Sequence, residues 1–99
     1  MTWDSGRFAH NTSLAPGKFV EACDKLPQGS KVAWSFRSSA PLHFNIHYHE
    51  GKEVKFPARQ DGSSGAEGRL DVPVAQDYCW MWTNKDKTVA TLELTLKRE

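Results

Sequence analysis

His43-Phe44-Asn45-Ile46-His47-Tyr48-His49 decides how this chain is to be read. His43, Asn45, His47 and His49 share one parity; Leu42, Phe44, Ile46 and Tyr48 share the other. Side chains of a β-strand point alternately to opposite faces, so the segment predicts one strand with an apolar face and a histidine face. Imidazole is also a common transition-metal ligand and titrates near physiological pH. The same seven residues are therefore the strongest fold signal and the strongest sign of chemistry.

The flanking sequence repeats the period. Val32, Trp34 and Phe36 alternate with Ala33 and Ser35; Tyr78, Trp80 and Trp82 alternate with Cys79, Met81 and Thr83; Ala90, Leu92, Leu94 and Leu96 form the last apolar row. Phe19 to Cys23, Glu53 to Phe56 and Leu70 to Val74 add shorter candidates. Pro27–Ser30, Ser38–Pro41, Glu50–Lys52 and Asn84–Lys87 have the composition of turns and breaks. No useful stretch has helical periodicity. The expectation is an all-β protein, an antiparallel β-sandwich of about seven to eight short strands. Residues 1–99 form a single domain, with 1–16 as an N-terminal strand or arm and the glycine-rich 57–68 as a flexible loop. Trp34, Phe44, Ile46, Trp80 and Leu94 belong inside, whereas His43, His47, Glu53 and Arg69 belong outside. Trp80 and Trp82 are better read as core than as a stacking platform for a ligand.

Thirteen basic and 12 acidic residues leave a net charge of +1. That balance lacks the concentrated basic surface that nucleic acid requires. No apolar run approaches the roughly 18 residues of a membrane span, and Met1-Thr2-Trp3-Asp4 leads into polar sequence rather than a signal peptide. Lipase-type serine elbows, zinc-protease helices and phosphate loops are missing from the motifs, so the expectation is that the chain is not an enzyme.

His47 and His49 would lie about 7 Å apart on a strand face, within reach of one ion; His43, about 13 Å from His47, joins only through a bulge. Glu50 could add an oxygen. Cys79 and Met81 are soft, outward-facing candidates that favour Cu(I). If their strand neighbours the histidine strand, His47, His49 and Met81 form a copper site. The competing account is a solvated face whose histidines pair with neighbours or water. Cys23 and Cys79 either form a disulfide or are two separate buried thiols.

Tyr78-Cys79-Trp80-Met81-Trp82-Thr83-Asn84 and the alternating strand after it resemble the last hairpin of the GOLD domain family, which includes the luminal domains of the p24 cargo receptors. Phe19–Cys23, Gly29–Val32 leading into Trp34–Phe36, and the strand 42–49 fit the same outline, so the resemblance spans roughly residues 17–97. It implies a β-sandwich used for binding and a Cys23–Cys79 disulfide, in a chain like a bacterial extracytoplasmic relative. The family's coiled coil, membrane span and lack of a histidine strand set it apart from this sequence, which ends at Glu99.

The expected function is therefore a small non-enzymatic binding protein, periplasmic or secreted, with a transition metal, copper first, as ligand. The alternative is a GOLD-type protein-interaction module without metal. Partner identity and oligomeric state stay open.

Overall fold

Period-two alternation becomes strand along most of the chain. The computed structural model describes residues 2–99 and holds six antiparallel strands: β1 (Arg7–Leu14), β2 (Phe19–Leu26), β3 (Lys31–Glu50), β4 (Glu53–Asp71), β5 (Gln76–Thr83) and β6 (Ala90–Arg98). Their order is β1-β6-β3-β5-β2, with β4 along the other edge of β3. Among the described residues there is no helix, and so none long and apolar enough to cross a membrane.

The expected seven to eight strands are six because two expected breaks do not interrupt the chain. Ser38–Pro41 bends β3 without ending it. The Ser38 hydroxyl donates to the Ala40 carbonyl at 2.6 Å, and the Thr91 N–H donates to the Ser39 hydroxyl at 2.8 Å, so side chains stand in for lost ladder bonds. The first half of β3, through Ser38, pairs with β6; the second, from His43, pairs with β5. The expected flexible loop 57–68 is the body of β4, paired with both halves of β3. Gly62, at φ +90°, lies between Asp61 and Ser63, whose partners His43 and Leu42 are consecutive. It is the extra residue that lets β4 follow the bend. The N-terminal stretch supplies a strand, β1, paired with β6.

The bend curls the sheet so that its two halves share one interior. Trp34 and Phe36 from the first half meet Phe44 from the second at ring distances of 4.8 and 4.9 Å, and Phe36 meets Trp82 edge-on at 5.7 Å. Even-numbered residues of β3, β5 and β6 fill this core, including the expected Trp34, Phe44, Ile46, Trp80 and Leu94. Gly68 faces Trp34 across the ladder, and the indole occupies the space a Cβ would need. Glu53 and Arg69 are exposed as expected, and His43 is half-buried. His47 departs from expectation: it is buried, at 8% exposure, although its parity points outward.

Asn84, in the turn after β5, is also fully buried. Its amide donates to the Leu14 and Thr88 carbonyls at 2.9 and 2.8 Å, and its side-chain oxygen accepts from the Asp86 N–H at 2.9 Å. One side chain thus ties the end of β1 to the β5–β6 connection.

Candidate functional site

The outer face of β2, β5, β3 and β4 is built in rows, because directly opposed residues in a ladder share a face. Phe19, Thr83, His43 and Asp61 make the first row; Glu21, Met81, Asn45 and Arg59 the second; Cys23, Cys79 and His47 the third. His49 and Val54 pair beyond them. A register shift between Ile46 and Tyr48 breaks the regular pairing of β4 beside His47, and there Phe56 packs against the imidazole, with ring centres 6.1 Å apart.

Cys23 and Cys79 are opposed and joined by a disulfide. The bond removes Cys79 as thiolate ligand or nucleophile. It also accounts for the only group of three or more close potential ligand atoms among the described residues, Glu21 with the two cysteines, whose sulfurs are spent on each other.

His47 is the most constrained polar side chain of the face. Its Nδ1 lies 2.7 Å from the Asn45 side-chain oxygen and its Nε2 3.7 Å from the Glu21 carboxylate. The His49 ring stands edge-on with centres 5.5 Å apart. Burial lowers the His47 pKa; Glu21 opposes that shift and His49 adds to it. The neutral imidazole is therefore favoured.

The structure brings together His47 and His49, as expected, and β5 does neighbour β3, which puts Met81 on the same face opposite Asn45. His43 stays apart, 3.4 Å from Asp61, whose carboxyl Arg59 first, and then His43, hold below its usual range. Glu50 pairs with Glu53 at the hairpin and is exposed; the oxygen beside His47 comes from Glu21. Glu21, Asn45 as a partner of His47, and Phe56 were not singled out by sequence. A signal for Glu21 existed, since a Cys23–Cys79 bridge sets β2 against β5 and puts Glu21 one row from His47. None existed for Phe56, whose placement depends on an irregular register.

Among the described residues, three of the four large, exposed apolar side chains lie on this face: Phe19, Val54 and Phe56, at 56, 42 and 49% exposure. A depression of about 680 Å³ lies elsewhere, on the outer face of β1, β6, β3 and β4. Small side chains such as Ala9 and Ser35 line it, and the exposed Arg37–Glu93 pair at 3.0 Å crosses it.

No protein-family model and no curated protein matches the chain. Its fold is similar to that of Aeromonas hydrophila PliG, a periplasmic inhibitor of g-type lysozyme (TM-score 0.77, 12% identity, covering 100% of this chain and 93% of that one). It is also similar to the pre-peptidase C-terminal domain of Bacillus anthracis collagenase (0.72, 15%, 91% and 88%) and to the Yersinia pseudotuberculosis-derived mitogen (0.70, 10%, 95% and 86%). At these identities the likeness is one of fold. These neighbours are not specific to the GOLD family.

Proposed function

We propose that this chain is a small, non-enzymatic binding module that works outside the cytoplasm and holds a protein partner on the outer face of β2, β5, β3 and β4. The carrying observation is the gathering of Phe19, Val54 and Phe56, all exposed, on one face with His47, Met81 and the disulfide. Aromatic and methionine side chains are enriched at interface centres, where burying them on association gives most of the affinity. A disulfide persists in oxidising compartments, which favours a periplasmic or secreted location. The similarity to a periplasmic inhibitor that acts on another protein supports the same reading. So does the fate of Cys79: bonded to Cys23, it supplies no nucleophile beside His47. The curled sheet is itself read as a two-layered sandwich whose layers share β3 and β4. Its 19 Å smallest dimension accommodates two sheets packed about 10 Å apart.

Site-specific photocrosslinking tests the face. A crosslinking residue at Phe56 should give a discrete protein adduct in the compartment where the chain resides, and one at Thr95, on the other outer face, should not. Equal labelling from both positions, or none from Phe56, rejects the reading.

A further inference from the structure

We propose that His47, His49 and Glu21 form a site for one divalent transition-metal ion, copper in preference to zinc. The proposal is independent of the protein-docking function and would stand if that failed.

The argument starts from the hydrogen bond to Asn45. With Nδ1–H donating to the Asn45 oxygen at 2.7 Å, the neutral imidazole presents an Nε2 lone pair. That lone pair stands 3.7 Å from the Glu21 carboxylate oxygen. Two electron-rich atoms face each other with no proton between them, an arrangement that a cation converts from repulsive to attractive. A metal-bound histidine characteristically donates its other ring N–H to an oxygen, which sets the tautomer and aims the ligand. Asn45 supplies that oxygen here.

The His47–Glu21 pair fits one ion as it stands, whereas the ring nitrogens of His49 are not gathered with those two atoms. Ligand atoms about 2.1 Å from a tetrahedral metal stand roughly 3.4 Å from each other, so His47 and Glu21 need close by only a few tenths of an ångström. His49 stands beside them, its ring edge-on to His47 with centres 5.5 Å apart, and completes the set by rotating about its side-chain bonds. His49 and Glu21 are both exposed and turn without disturbing the core. Because the cysteine sulfurs are bonded to each other, the donor set is two nitrogens and one oxygen. Such a set favours Cu(II) and Zn(II) over Cu(I), and the divalent affinity order puts copper above zinc. Met81, opposite both Glu21 and Asn45, contributes to Cu(I) alone.

Titration calorimetry and copper electron paramagnetic resonance on untagged, disulfide-bonded protein test the site. One Cu(II) per chain is expected, with hyperfine structure from two imidazole nitrogens and weaker binding of Zn(II). His47→Ala, His49→Ala and Glu21→Gln should each weaken copper binding at least tenfold, and Asn45→Ala about tenfold through loss of orientation. His10→Ala, on β1, should change nothing. Unchanged affinity in both His49→Ala and Glu21→Gln, which alter only exposed side chains, overturns the proposal whether or not the His47 variant folds. So does copper affinity that falls with His10→Ala.

Discussion

His47 stands directly opposite Cys79 in the β3–β5 ladder, in the row that continues to Cys23 on β2. The imidazole and the disulfide therefore belong to one strip of surface. A covalent bond between β2 and β5 determines what lies beside the central histidine of β3.

The disulfide closes a separation of 56 residues. In the chain-entropy model a loop of that size stabilises the fold by about 4 kcal/mol. Freshly isolated protein should have an intact mass about 2 Da below the fully reduced value, and reduction should lower Tm by at least about 10 °C. Two rapidly alkylated thiols in the unreduced protein would contradict the bridge.

Gly68→Ala tests the contact that lets β4 continue through its glycine-rich stretch. A Cβ there would lie 2.6 Å from the Trp34 ring, closer than packed atoms tolerate. The indole must shift, and the expected loss is about 1–3 kcal/mol with a change in tryptophan fluorescence. A variant as stable as the parent, with an unaltered spectrum, would mean that Trp34 does not lie across β4.

Asn84→Ala should cost about 2–4 kcal/mol in urea unfolding, because two carbonyls and one N–H lose their buried partner together. Asn84→Asp should be at least as damaging, since a carboxylate would face the Leu14 and Thr88 carbonyls. A neutral effect of both substitutions would remove Asn84 as the tie between β1 and the β5–β6 turn.

Stability should fall with acid through His47. Burial puts its folded-state pKa below the ordinary histidine value of about 6.5, so the unfolded chain takes up the proton first. In metal-free protein its contribution is complete above about pH 6.5 and is lost as pH falls towards the lowered folded-state value. The acidic groups with lowered values, Glu53 and Asp61, act in the carboxylate range, well below this window. Unfolding free energies between about pH 7.5 and 5 should decline in the wild type and flatten in His47→Gln. Parallel profiles would show that another group governs that range.

The core was legible where alternation alone decides it. Trp34, Phe44, Ile46, Trp80 and Leu94 follow from parity, since consecutive strand residues point to opposite faces whatever their neighbours are. The face on which His43, His47 and His49 lie was legible for the same reason, and so was the hairpin at Gly51, which takes a positive φ of 63°. The strand count was not. Pro41 and the glycines of 57–68 have the composition of breaks, yet β3 and β4 carry on because each supplies the other's backbone partners, with Ser38 and Ser39 bonding through the bend.

By itself, the sequence determined the all-β class, the two faces of each alternating strand and the apolar set that fills the interior, because these depend on residues next to one another. Only the tertiary structure decided that the sheet is six strands curled over one bend, that His47 is buried, and that Glu21, Asn45 and Phe56 surround it. Those outcomes depend on strand order and register, set by pairings between residues far apart in the chain and by an irregularity near Phe56. A local periodicity carries no record of either.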